Sequence, residues 1–494
     1  MPNQDQSIQL LPQQEEALNK LKAFCNDSDT QVFILTGYAG TGKTTLLKAF
    51  VDYLAKANFQ NGTEFGEQIG SNRFIPLAST GRAAKILSDK IGQNVVTVHS
   101  RIYTFNGFNR DIDEMANTIK NNKGMDDTGD LFLEFSHNKV LNDDSKRIYI
   151  VDEASMIGDQ ADDRPRQAHF GSGKLLSDLF AYDPDGKFVF VGDDCQLPPI
   201  EGDMSPALSP YYIESHFNKS VATATLTEIV RQAKGNDIVN SAERVRKLCK
   251  NPPAVTWGKF PMRGYHDIHI LGSQIELIGK YVNDVEAGGY NKATLITGSN
   301  KMCNTLANML RSQLGFNSPT IMKGELLLVT QNSFSTRLMN GDFIKITSIG
   351  NRRKRANLTF LEIEAEETST GMVFNTLMIE DLLYSGAVNL SKEQQKALFL
   401  DFIYREKDRN IDMKHNSDKF AEDMRTDPYL NALRAVYGYA ITCHKSQGGE
   451  WDNVYLDIPR YFSREPDSEI YQWLYTAMTR ARKSLFVVND FFIA

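Results

Sequence analysis

The segment Gly37-Tyr38-Ala39-Gly40-Thr41-Gly42-Lys43-Thr44 has the residue types and spacing of a phosphate cradle, G-x-x-x-x-G-K-[ST]. Glycines let the backbone turn tightly enough for its N–H groups to face phosphate oxygens. A helix starting near Lys43 would aim its positive end at the same anion. Lys43 would then reach the β- and γ-phosphates of a nucleoside triphosphate, and Thr44 would ligate Mg²⁺. The plain alternative is a glycine-rich turn, but an apolar run, Val32 to Thr36, precedes the segment and a helical pattern follows it. A second element is Asp152-Glu153, which follows the apolar run Arg147 to Val151. Carboxylates there would sit at the carboxyl end of a buried strand, the edge where open α/β sheets bind ligands. Asp152 would hold Mg²⁺ through water, and Glu153 would orient and deprotonate an attacking water. An isolated Asp-Glu pair is otherwise often a solvated acidic turn.

Positioning these groups requires strands, and the chain supplies them. Further short apolar runs, each followed by a helical pattern, occur at Phe74 to Ser79, Phe188 to Val191, Ala293 to Thr297, Val454 to Leu456 and Leu485 to Val488. The alternation predicts an α/β fold, parallel sheets covered by helices. Between Gly324 and Tyr429 the rhythm changes. Asn357 to Glu364 alternates apolar and polar residues, and Asn340-Gly341 lies nearby, so an inserted antiparallel β domain is expected. Within it, Leu390 to Arg425 is charged and reads as mostly helical, a solvated face by default. A second insertion is expected between Arg101 and Ser145, where polar residues and turn formers interrupt the pattern.

Composition narrows the setting. With 494 residues, 41% of them hydrophobic, the chain is long enough for about three or four domains. The net charge of -7 argues mildly against a protein that coats nucleic acid, although a strand held in an interior groove needs only local charge and stacking. The five cysteines form no C-x-x-C pair, so neither a zinc site nor a disulfide framework is expected. No apolar run approaches a membrane span, and the polar start lacks the blocks of a signal peptide; a cytoplasmic protein is expected.

Five segments carry a resemblance. Asp152-Glu-Ala-Ser-Met156, Val191-Gly-Asp-Asp-Cys-Gln196-Leu-Pro-Pro-Ile200 and Tyr475-Thr-Ala-Met-Thr-Arg480-Ala-Arg482 resemble successive motifs of superfamily 1 helicases. Thr97-Val-His99 and Cys443-His-Lys-Ser-Gln-Gly448 resemble the RecD and Dda branch, which moves 5′ to 3′ on single-stranded DNA. The resemblance runs from about Gln14 to Val488. It implies two RecA-like motor domains, the first over 1–100 and 146–225 and the second over 226–323 and 430–494. A hairpin or wedge domain would be inserted at 101–145 and an SH3-like domain at 324–429. It implies an ATP-dependent helicase acting on single-stranded and forked duplex DNA, with ATP and Mg²⁺ in the cleft between the motor domains.

The same resemblance assigns residues. Gln14 matches the glutamine that recognises adenine, with a helix-start polar residue as the alternative. Nucleotide contacts would come from Gln14, Gly37, Ala39, Gly40, Thr41, Gly42, Lys43, Thr44, Thr45, Gly448 and Glu450. Gln196 would sense the γ-phosphate and link it to the DNA groove, and Arg231 and Arg480 would reach that phosphate from the second motor domain. The strand would be contacted by Ser79, Thr80, Gly81, Arg82, Thr97, His99, Thr442, His444 and Ser446. Finally, Asn106-Gly107 between Phe105 and Phe108 predicts a tight hairpin that would split the duplex, unless the two rings simply pack the insertion onto the first motor domain. An RNA helicase, or an ATP-driven switch that never unwinds, satisfies most of the same motifs.

Overall fold

The computed structural model describes residues 9–63, 70–108, 133–138, 140, 143–161, 168–200, 202–229, 237–333, 336, 338–408 and 418–494. Its architecture is α/β, with two separate parallel sheets. The first runs Val221–Leu226, Val32–Gly37, Lys187–Gly192, Arg147–Asp152, Arg73–Ala78 and Gln60–Asn61, with Val96–Thr97 also paired to Arg73–Ala78. Every pairing in it is parallel, so helices must make the crossovers. Central strands covered on both faces have no polar side, which explains their unbroken apolar runs. Phe33, Leu35, Ile148 and Val189 pack into one core layer, and Ile34, Tyr149, Val151 and Phe188 into the other. The helix Lys43–Lys56 lays Leu46, Leu47, Phe50, Val51 and Leu54 on the first layer. Each such buried side chain stabilises by roughly 1.5–3 kcal/mol.

The second parallel sheet runs Ile268–Leu271, Ala481–Val488, Trp451–Asp457, Ala293–Thr297 and Ala440–Thr442. Helices Asp237–Lys250 and Ser468–Met478 pack against it and face the first sheet's strand ends. An antiparallel sheet of Val373–Ile379, Leu358–Glu367, Phe343–Arg355, Leu326–Val329 and Ala435–Tyr437 forms where the alternating pattern lies. Helices Lys392–Asp408 and Asp418–Thr426 accompany it, and Leu398 packs with Leu358 and Phe360.

The hairpin expectation needs correction. Tyr103–Phe108 is one continuous strand that runs through Asn106-Gly107 and pairs antiparallel with Leu133–His137. The Asn-Gly pair sits at a register irregularity between Phe105 and Gly107 instead of at a turn, so its conformational freedom accommodates a bulge. The connection between the two strands lies outside the described residues, as do the side chains of Phe105 and Phe108. Ala168–Phe170 adds a third strand to this small sheet, from beyond the expected insertion. Among the described residues, no helix is long and apolar enough to cross a membrane.

Candidate nucleotide site and strand-contact residues

The strand Val32–Gly37 delivers the phosphate cradle to the carboxyl edge of the first sheet. Gly40 and Gly42 have φ of 80° and 78°, a left-handed conformation that disfavours other residues. Within the loop, Lys43 Nζ donates to the carbonyls of Gly37 (2.7 Å) and Tyr38 (3.1 Å), and Thr41 Oγ1 donates to Tyr38 O (2.9 Å). Gly42 caps the helix without a side chain, so the first-turn N–H groups face the loop. Thr44 lies half-buried in that turn, and Thr45 is exposed.

Gln14, the residue expected to meet adenine, is bonded to the start of its helix and to the cradle. Its Oε1 accepts from Leu11 N (2.9 Å), satisfying a backbone donor at the helix start, and its Nε2 donates to Thr41 O (2.9 Å). At 3% exposure the amide is committed to starting the helix and bracing the cradle.

Asp152 and Glu153 stand at the same sheet edge, one strand beyond Lys187–Gly192. Burial and then the adjacent Glu153 push the Asp152 carboxyl up to about 6, with Lys43 opposing. Glu153 has φ of 51°, a conformation rare for a non-glycine residue, and it turns the side chain out of the strand's alternation. Gln196 lies at the end of the neighbouring strand and reaches both halves of the cleft. With its amide oriented to suit its neighbours, Nε2 donates to Glu153 Oε2 (3.3 Å) and Oε1 accepts from Arg480 Nη2 (3.1 Å). Arg480, 5% exposed, is steadied by Nε donating to Thr476 O (3.0 Å) and Nη1 to Gly449 O (3.4 Å). The geometry therefore joins Glu153, Gln196 and Arg480. Arg231 lies outside the described residues. Gly448, with φ of 72°, stands against Ala83, and Glu450 is exposed.

The residues expected on the strand divide. Thr80 and Thr97 spend their hydroxyls as N-caps, accepting from Ala83 N and Ser100 N, as Ser and Thr commonly do. Ser79 Oγ contacts Met156 Sδ (3.6 Å), and His99 packs beside Tyr103 and Phe170. Thr442 and His444 are half-buried; Thr442 lines a recess with Asn300, Asn304 and Lys445. Two of these residues are held mainly by protein contacts. Ser446 is fully buried and donates to Cys443 O (2.7 Å), a local backbone bond. The Arg82 guanidinium is enclosed between Trp451 (4.7 Å to the ring centre) and Phe343 (5.4 Å), beside Gly81, which abuts Met339.

Sequence reading also passed over a cluster between the two parallel sheets. Arg246, on the helix Asp237–Lys250, pairs with Asp193 and Asp194, and Lys250 reaches Asp194 (3.1 Å). Tyr475 Oη donates to Asp193 Oδ2 (2.7 Å) and accepts from Ala39 N (3.0 Å) in the phosphate loop. Asp193 and Tyr475 lay inside quoted motifs, whereas nothing in the local sequence marks a mid-helix arginine.

Residues 9–252 match a family model described as an AAA domain, and 437–488 match one described as a UvrD-like helicase C-terminal domain. An uncharacterized protein of Methanocaldococcus jannaschii is 24% identical over 96% of the chain, which spans 38% of that relative. The ATP-dependent DNA helicase Dda of Enterobacteria phage T4 is 24% identical, covering 92% of this chain and 93% of its own. The ATP-dependent RecD2 DNA helicase of Deinococcus radiodurans is 29% identical over 43% of this chain, which spans 21% of that protein. A crystal structure of a Bacteroides Pif1 helicase with ADP-AlF3 and single-stranded DNA is 15% identical, covers 97% of this chain and 92% of its own, and has a TM-score of 0.47. The phosphate cradle and carboxylate pair lie inside the first matched segment and Arg480 inside the second, and with RecD2 and Dda among the relatives these matches support a superfamily 1B helicase.

Proposed function

We propose that this chain is a DNA helicase that hydrolyses ATP in the cleft between its two parallel sheets, moves 5′ to 3′ on single-stranded DNA and opens forked duplex. The observation that carries the reading is the bridge Glu153–Gln196–Arg480, which ties the hydrolytic carboxylate on one sheet to a cation on the other. Glu153 deprotonates the water that attacks the γ-phosphorus, while Lys43 and Arg480 offset the charge that develops on the phosphoryl oxygens. By resemblance Arg231 adds a second cation. Two adjacent carboxylates, one held near pKa 6 by burial, form a donor set that a divalent cation would satisfy. Thr44 and Asp152 would hold Mg²⁺, which supplies charge neutralisation to the transferring phosphoryl group.

Closure of the cleft favours contacts shared by both motor domains, and hydrolysis removes that advantage, so alternate grip becomes stepping. Ser79, Thr80, Gly81, Thr97, His99, Thr442 and His444 remain the strand contacts we assign, and Phe105 and Phe108 the wedge. Polarity and the choice of DNA rest on the resemblance to the RecD and Dda branch and on the similarity to Dda. The test is strand displacement on duplexes with either a 5′ or a 3′ single-stranded tail, in DNA and RNA versions. Displacement of 5′-tailed DNA alone is the expected result. Displacement of RNA, of 3′-tailed DNA, or none despite DNA-stimulated hydrolysis would each replace the reading with a named alternative.

A further inference from the structure

Arg246 is a charge in a place that should not tolerate one: it is 4% exposed, on a helix of the second parallel sheet, facing the first. Such a group persists only when paired, and its partners are Asp193, which is fully buried, and Asp194. The guanidinium also lies 4.0 Å from the centre of the Tyr38 ring in the phosphate loop. Asp193 in turn organises the residues after it. Its Oδ1 accepts from Cys195 N (3.1 Å) and its carbonyl from Gln196 N (3.1 Å), which fixes the turn from which Gln196 reaches Glu153 and Arg480.

We propose that Arg246 is a positioning residue that acts through Asp193 to hold Gln196 against Glu153, making hydrolysis depend on how the second motor domain is seated. The inference rests on the ATP-hydrolysis reading above. Arg246 touches neither Glu153 nor Lys43; its effect passes along the 193–196 turn, and Tyr475 anchors the same carboxylate from the neighbouring helix. Loss of the guanidinium frees that turn to leave its register, and Gln196 loses its place while the phosphate loop keeps its own internal bonds.

The test compares Arg246→Lys, Gln196→Ala and the double variant. Lysine keeps the charge but cannot span two carboxylates while lying flat on a ring. DNA-stimulated kcat should fall about tenfold in each single variant, with KM for ATP changed by less than about twofold, and the double variant should be no worse than the more impaired single. Binding of a fluorescent ATP analogue should stay unchanged. Should Arg246→Lys fail to fold by thermal melting, Tyr475→Phe, which removes the hydroxyl's bonds to Asp193 and to Ala39 N and keeps the ring, should show the same non-additivity in kcat with Gln196→Ala. Wild-type kcat in the folded variants, or multiplicative losses in the double, would overturn the role of Arg246. A wild-type chain that hydrolyses no ATP would instead overturn the underlying function.

Discussion

Lys43 donates to two carbonyls of its own loop, so its ammonium already sits where the phosphate loop converges. Lys43→Ala should abolish ATP hydrolysis yet leave affinity for single-stranded DNA largely unchanged, as measured by turnover and anisotropy side by side. Wild-type turnover would remove the assignment. Glu153→Gln keeps the shape of the side chain and deletes the base, so it should bind ATP and turn over about 10²–10⁴-fold more slowly. Loss of ATP binding would give Glu153 a structural role instead. Asp152 adds a pH dependence. As an acid with a raised pKa it takes up a proton more readily than an exposed aspartate, so protons compete with Mg²⁺ near pH 6 and below. The half-activating Mg²⁺ concentration should be flat from pH 9 to 7, about double at pH 6 and about tenfold higher at pH 5; constancy down to pH 5 would contradict the environment described for Asp152. The positions of Lys43, Asp152 and Glu153 at one sheet edge were legible because the cradle and the carboxylate pair each follow an apolar strand. The bonds of Gln14 were not, since a glutamine near a helix start can serve the helix end or a ligand equally well.

At the scale of elements, apolar runs flanked by helical patterns correctly announced parallel strands, because a strand buried on both faces leaves no polar side to hide. Turn chemistry was less reliable. Asn106-Gly107 became part of a strand, while the tight hairpin formed at Ala356-Asn357, where both residues have positive φ, 49° and 58°, between the paired Arg355 and Leu358. A two-residue preference decides a turn only when the flanking strands have no better partner, and Leu133–His137 supplies one for Tyr103–Phe108. Likewise the hydroxyls of Thr80 and Thr97 are legible as caps only once the helix starts are known. The end of the strand Lys187–Gly192 is different, because it gives way to the short turn that presents Gln196 to both carboxylate and arginine. Gln196→Ala should therefore leave basal hydrolysis measurable while reducing its stimulation by single-stranded DNA. Unchanged stimulation would take Gln196 out of the link between the two sites.

At the scale of the molecule, the start of the helix Gly81–Ile91 is where the first parallel sheet, the second and the antiparallel sheet meet. Lys85 donates to Glu367 of the antiparallel sheet (2.8 Å) across 282 positions of sequence, a separation at which no local pattern forecasts a contact. Burial alone would raise the Glu367 carboxyl, but bonds from Lys85, Ser369 and Thr370 hold it down to about 2. Its folded pKa lies below the unfolded value, so the tie is fully present above about pH 4.5 and is lost as the pH falls toward 2. Gly81 is required for the approach, since a Cβ there would lie 2.6 Å from Met339 Cβ. Arg82 completes the junction between Trp451 and Phe343, two ring contacts each on the order of 0.5–2 kcal/mol. Held this way, the arginine ties the antiparallel sheet to the first parallel sheet. Arg82→Ala should then leave the Kd for single-stranded DNA within about threefold of wild type, less than the loss of a phosphate contact combined with its packing would give. Duplex unwinding should fall several times further than DNA-stimulated hydrolysis, because the antiparallel sheet is no longer fixed to the start of the helix Gly81–Ile91. Parallel losses of DNA affinity and unwinding, together with a shallower salt dependence of binding, would return Arg82 to the strand groove.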